Sequence, residues 1–110
     1  MENCLFCRII EGELPCEKVI ETSHYMAFKD IHPKAPVHVL IVPKRHVERP
    51  EELRPEEIGD MLVGSEEIAQ ILGVKDTGYR LLFNIGKHAG QEIDHAHLHL
   101  LGGAPAKGMY

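Results

Sequence analysis

No apolar run in this chain of 110 residues approaches the roughly 20 residues that span a bilayer. The longest stretches, such as Val39-Leu40-Ile41-Val42, are far too short, so no membrane partner is expected. Bases are also scarce: 12 Lys and Arg stand against 17 Asp and Glu, a formal net charge of −5. Duplex nucleic acid is held by clustered Lys and Arg, so no nucleic-acid polymer is expected as a partner, although one small nucleotide is compatible with this balance. The three cysteines, Cys4, Cys7 and Cys16, cannot all pair, and a disulfide framework is not expected. Met1-Glu2-Asn3-Cys4 offers an acid where a secretory signal carries bases, with no apolar stretch behind it. The expected compartment is the cytoplasm, where thiols stay reduced. No internal repeat, low-complexity tract or linker is visible. With 44% hydrophobic and 26% charged residues, the chain is expected to form one domain, 1–110, rather than to stay disordered.

The periodicities divide the chain into short elements. Leu5, Phe6, Ile9 and Ile10 recur at helical spacing and Glu11-Gly12 ends the run, predicting a short N-terminal helix. Residues 16–20 and 25–28 are strand-prone and flank a turn at 21–24, which predicts a hairpin. Pro33 and Pro36 make 30–36 a loop. Residues 37–42 follow as a strand, with Val37, Val39 and Ile41 on one face and His38, Leu40 and Val42 on the other. Ile58, Met61, Leu62, Ile68, Ala69 and Leu72 step by three and four between Pro55 and Gly73, the pattern of one long helix. Gly59 and Gly64 inside it are expected to mark close backbone packing. Residues 79–85 and 95–101 read as two further strands around a glycine-bearing loop. The fold class expected is α+β, with an antiparallel sheet of about five strands, one long helix and one short one.

Histidine is abundant: eight in all, three of them in His95-Ala96-His97-Leu98-His99-Leu100. A strand period of two sends the three imidazoles to one face and Ala96, Leu98 and Leu100 to the other. Three readings are open for such a row. The rings could be structural, each with its own hydrogen bond; they could hold a catalytic zinc; or one could be a nucleophile oriented by its neighbours. The loop Asn84-Ile85-Gly86-Lys87-His88-Ala89-Gly90-Gln91 favours the last, because its backbone N–H groups and two carboxamides could cradle a phosphate without net positive charge.

Asn84, Gly90-Gln91 and His95-Ala96-His97-Leu98-His99-Leu100-Leu101-Gly102-Gly103 together resemble the signature of the histidine-triad (HIT) family, in particular its Hint-like branch of nucleotide phosphoramidases. The resemblance extends to residues 27–31, Ala35-Pro36-Val37-His38, residues 41–46 and Gly78-Tyr79-Arg80. It implies a HIT-like fold and a two-fold homodimer. It also implies cleavage of the bond between an AMP-like purine nucleoside monophosphate and an amine or similar leaving group, through a covalent nucleotidyl-histidine intermediate. Carried over residue by residue, His97 is the nucleophile, His99 contacts the phosphate, His38 supports the triad, and Asn84, Gly90 and Gln91 lie beside the phosphate. Asp30 matches the acid that binds the ribose hydroxyls, while Phe6, Leu14, Phe28 and Ile31 resemble the apolar walls around the base. Glu92 stands where many animal members have Ser, and a carboxylate cannot donate to a phosphate unless protonated. A nucleotide sensor or scaffold with little turnover is the alternative, since fold alone does not fix function.

Cys4 and Cys7 have the spacing that lets both thiolates reach one ion, and His46 and His95 could complete a Cys2His2 tetrahedron. A pair of small apolar side chains on a helix is the plain alternative. The resemblance to bacterial members that begin with Cys-x-x-Cys and carry Pro-Lys-Arg-His implies a structural zinc at these four positions and no cofactor for catalysis. Cys16 lies outside the pattern and is expected to pack.

Overall fold

The structure, a computed structural model, describes residues 3–106. Met1-Glu2 and Lys107-Gly108-Met109-Tyr110 lie outside the described residues. The elements in chain order are α1 (Leu5–Ile10), β1 (Lys18–Glu21), β2 (Tyr25–Lys29), β3 (Val37–Pro43), α2 (Pro55–Ile71), β4 (Tyr79–Phe83) and β5 (Leu98–Gly102), with 3-10 turns at Pro50–Glu52 and Lys87–Ala89. The five strands form one sheet in the order β1-β2-β3-β5-β4, and every neighbouring pair is antiparallel. The expected class and element set are thus present. No helix among the described residues is long and apolar enough to cross a membrane.

The sheet is covered on both faces. Tyr25, Ala27, Val39, Ile41, Leu98 and Leu100 pack with Met61, Ile68 and Ala69 of α2, while Met26, Phe28, Leu40 and Val42 pack with Cys4, Phe6 and Cys7 at α1. The alternation read along residues 37–42 is the physical basis: odd positions turn to α2, and Leu40 and Val42 turn to α1. Three strand boundaries move by two residues or more. The first strand begins at Lys18 rather than at 16, the fourth ends at Phe83 rather than at 85, and the last begins at Leu98 rather than at His95, which lies in a bend.

Pro55 opens α2 and Glu56 and Glu57 occupy its first turn, where carboxylates meet the positive end of the helix dipole. Gly73, at φ +75°, follows its end in the left-handed region. The buried Glu57 carboxylate accepts from Arg45 Nε (3.1 Å) and Nη2 (2.8 Å) and from the Arg54 N–H (2.7 Å). These donors, Arg45 foremost, hold its carboxyl down to about 2. A depressed folded-state value gives stabilisation that is complete above the ordinary carboxylate range and lost as the pH falls toward about 2. Thermal melts between about pH 5 and pH 2.5 should therefore show the wild-type Tm falling more steeply than that of Glu57→Gln.

The two helix glycines differ. A Cβ on Gly64 would meet the Tyr25 hydroxyl and stand 2.8 Å from Cζ of that fully buried ring, so Gly64 does permit a close approach. At Gly59 a Cβ would have nothing within 4 Å, and the expectation of close packing there is corrected. Gly64→Ala should destabilise by about 1–3 kcal/mol through overpacking, whereas Gly59→Ala should stabilise by up to about 1 kcal/mol through helix propensity. Denaturant titration of the two variants checks the opposite signs.

Candidate active site and metal centre

His97 sits just before β5, nine-tenths buried, with its ring edge-on to Phe6 at a centroid distance of 5.0 Å. Its Nδ1 lies 2.8 Å from the His95 carbonyl oxygen, which can only accept. Nδ1 therefore carries the proton, and the lone pair is on Nε2.

A second chain of contacts fixes two more rings. The Lys34 backbone N–H donates to His38 Nδ1 (3.0 Å), so the neutral His38 ring bears its proton on Nε2. That proton faces His99 Nδ1 at 2.9 Å and Asp30 Oδ2 at 3.4 Å. His99 then accepts at Nδ1 and presents Nε2–H, with the Asn84 carboxamide 3.5 Å away. Since Nε2–H can only donate, the Asn84 oxygen, rather than its nitrogen, must face it. The His97 and His99 rings stand 4.9 Å apart, closer than the strand repeat of about 7 Å.

Burial lowers the pKa of all of these rings: His38 and His97 fall below the ordinary imidazole range, and His99, also repelled by His97 and His38, falls to about 4. At neutral pH the cluster is uncharged, which keeps the lone pair on His97 available. A cleft of about 150 Å³ opens onto it, lined by Phe6, Asp30, His32, Lys34, His38, Leu40, Asn84, Gly90, Glu92, Ile93, His97 and His99.

Not every residue carried over by the resemblance lines this cleft. Leu14 and Ile31 do not line this cleft, Ile31 being 82% exposed, and Phe28 lies behind Phe6 in the core. Gln91 turns away: its Oε1 accepts from the Gly86 N–H (2.8 Å), and its Nε2 donates to the carbonyls of Glu48 (2.8 Å) and Ile93 (3.0 Å). It pins the loop instead of facing the cleft. The N–H groups of Gly86, Ala89, Gly90 and Gln91 are likewise used inside the loop or by Gln91 itself, so they form no phosphate cradle. Lys34 and Ile93 line the cleft without having been singled out in the sequence. The Lys34 backbone N–H reaches His38 from the loop that carries Pro33 and Pro36.

His95 belongs to a different cluster. Its Nε2–H donates to the Pro43 carbonyl at 2.8 Å, which leaves the lone pair on Nδ1. That atom lies 3.2 Å from Cys4 Sγ, 3.6 Å from Cys7 Sγ and 3.1 Å from His46 Nδ1, and Cys7 Sγ is 3.3 Å from His46 Nδ1. A tetrahedral zinc with bonds of about 2.0–2.1 Å to nitrogen and 2.3 Å to sulfur sets ligand–ligand edges of about 3.3–3.8 Å. The four donor atoms, all within 4.8 Å of one another, fit that tetrahedron, and the Pro43 carbonyl is the outer partner that a ligating histidine ordinarily has. Burial and the adjacent Cys4 push the Cys7 thiol up, a penalty that a cation among the four would reverse. Cys16 takes no part, and the expectation that it packs is corrected, since it is exposed.

The three-histidine metal reading fails on this geometry, since His95 turns to the cysteines and no group of His95, His97 and His99 converges among the described residues. Asp30, His38 and His99 do converge, but the Lys34 N–H occupies the only lone pair of neutral His38, so Nε2 has none to give a metal.

Comparison with known proteins agrees with this architecture. The HIT domain matches residues 11–106. A purine nucleoside phosphoramidase of Escherichia coli K12 is 38% identical over 107 residues, covering 94% of this chain and 90% of its own. An uncharacterised HIT-like protein of Helicobacter pylori is 43% identical over 99 residues, covering 90% and 95%. Among solved structures, a HIT family hydrolase from Clostridium thermocellum superposes with a TM-score of 0.93 at 42% identity over 99% of both chains. A histidine triad protein from Clostridium difficile gives 0.92 at 35%, over 100% and 98%. With His97 and His99 in one cleft and His95 beside it, and with matches spanning nearly its whole length, the chain belongs to the HIT family.

Proposed function

We propose that this chain hydrolyses the P–N bond, or a similar bond, between a purine nucleoside monophosphate and its leaving group through a nucleotidyl intermediate on His97. The observation that carries this reading is the hydrogen bond from His97 Nδ1–H to the His95 carbonyl, which leaves a buried, neutral Nε2 lone pair at the cleft. His97 Nε2 bonds to phosphorus, the P–N bond breaks, and the amine departs with the electron pair and a proton taken from solvent, which the attacking water of the second step returns. His99 Nε2–H is the donor that the His38–His99 chain presents to the phosphoryl group. Water then displaces His97 and releases the nucleoside monophosphate. Asp30 Oδ2 and Lys34 flank the same cleft, suiting ribose hydroxyls and phosphate respectively, and Phe6, Leu40 and Ile93 supply apolar wall. The name of the Escherichia coli relative supports the purine preference.

Hydrolysis of a fluorogenic AMP-amine tests the reading, and saturable AMP binding without turnover would replace it by the sensor alternative. A zinc at Cys4, Cys7, His46 and His95 supplies folding free energy and leaves no open coordination position. A cytoplasmic setting, which keeps these thiols reduced, suits it. A two-fold dimer is part of the proposal: β4 is an outer strand of the sheet, and α2 exposes Leu62, Val63 and Ile71. Light scattering at micromolar concentration should give twice the chain mass.

A further inference from the structure

We propose that the Cys4–Cys7–His46–His95 centre positions the His97 ring through His95 and Phe6, so that metal occupancy governs turnover while leaving nucleotide affinity nearly unchanged. The kinetic part rests on the phosphoramidase reading above; the positional part does not.

His95 is fixed at three atoms: Nδ1 faces the two sulfurs and His46, Nε2–H donates to Pro43, and its carbonyl oxygen holds His97 Nδ1–H at 2.8 Å. Whatever seats the His95 side chain therefore also seats the group that selects the His97 tautomer. Phe6 is the second link. It lies between Cys4 and Cys7, is buried, and presents its ring edge-on to both His97 (5.0 Å) and His95 (5.9 Å). Its helix α1 has six residues, too few to hold shape alone, and Cys4 Sγ caps it by accepting from the Cys7 N–H at 3.4 Å. An ion shared by Cys4, Cys7, His46 and His95 would tie α1, the end of β3 and the lead into β5 together at one point.

The segment carrying His97 depends on that tie. Its pairing with β3 starts only at Leu98, opposite Ile41, so His95 to His97 lie outside the ladder, where Ala96 N–H reaches the Val47 carbonyl at 2.8 Å. Asp30, His38 and Asn84, by contrast, come from the β2–β3 loop, β3 and the end of β4, and none of them touches the centre. Loss of the ion should thus disturb the attacking group and the adjoining Phe6 wall while the Asp30, His38 and Asn84 side of the cleft stays in place, so that kcat falls more than binding does.

The test compares zinc-loaded and chelator-stripped protein well below the melting transition, with circular dichroism verifying the sheet. In the loaded protein, imidazole 15N spectra should show His97 as one tautomer protonated at Nδ1. In the stripped protein those signals should average between two tautomers, kcat should fall at least tenfold, and the Kd for AMP by calorimetry should change less than threefold. Readdition of zinc, or of cobalt read by its tetrahedral absorption, should restore all three. A stripped, folded protein that keeps the Nδ1–H tautomer and a kcat within twofold overturns the proposal. Should stripping unfold the chain, Phe6→Leu decides: with one zinc per chain retained, it should lose at least fivefold in kcat, and unchanged kcat and His97 signals overturn the positioning role. Absence of turnover in the loaded wild type would refute the phosphoramidase reading alone, because the 15N spectra still report on His97.

Discussion

His97→Ala should lower turnover of an AMP phosphoramidate by roughly three orders of magnitude or more while AMP still binds. None of the other three rings of the buried cluster can take over the attack. His95 has its Nε2 proton committed to Pro43 and its Nδ1 turned toward Cys4, Cys7 and His46. His99 accepts the His38 proton at Nδ1 and is left with an N–H at Nε2, and His38 accepts the Lys34 N–H. Among the four rings only His97 brings a lone pair to the cleft, and removing it deletes a bond made only after binding, so the loss falls on the transition state. Imidazole added to His97→Gly should restore part of the rate. Rapid quenching of wild type with radiolabelled AMP-amine should trap label that is acid-labile and base-stable, as a phosphoramidate to imidazole is. If His97→Ala keeps more than about a tenth of wild-type turnover, less than ~1.4 kcal/mol of barrier depends on the ring and the assignment is wrong.

How far the sequence carried this depended on whether a side chain's position followed from local repeat or from long-range partners. The two faces of β3 and the extent of α2 were legible because periods of two and of three to four residues are set by backbone geometry alone. The Cys4–Cys7 pair was legible from ligand type and the two-residue gap, while the family resemblance pointed to His46 and His95 as its partners, even though 91 residues separate Cys4 from His95. What period could not reveal was the bend at His95, where the imidazole leaves the strand register to meet the cysteines. Nor could it show the Gln91 carboxamide satisfying three backbone groups of its own loop and of Glu48, because a short polar side chain near tight turns has local partners that compete with any ligand. Leu14 and Ile31 were placed at the cleft by resemblance alone, and neither lines it here. Lys34 was overlooked because its structural act is performed by a backbone N–H, which carries no residue signature.

Removal of metal should lower thermal stability without melting the chain at low temperature. The four donors tie α1 to the end of β3 and to the segment before β5, and they sit in the smaller core with Phe6, Met26, Phe28, Leu40 and Val42. An ion that binds only the folded chain stabilises by mass action, about 4 kcal/mol when its free concentration is 1,000 times Kd. For a domain of this size that corresponds to a fall in Tm of roughly 15 °C on stripping, since 1 kcal/mol is worth about 4 °C or more. The core between α2 and the other sheet face, built on Ile41, Met61, Ile68 and Leu100, contains none of the ligands and should keep the sheet folded. Cys4→Ser or Cys7→Ser should reproduce most of the loss and leave the variant's Tm insensitive to chelator. Cys16→Ser should keep the wild-type Tm and zinc content, because Cys16 is exposed and takes no part in the cluster. Elemental analysis beside scanning calorimetry checks both halves. About one zinc per chain in wild type and Cys16→Ser, and much less in the other two, is the expected pattern; a metal-free wild type with the same melting curve as the zinc-supplemented protein would refute the site.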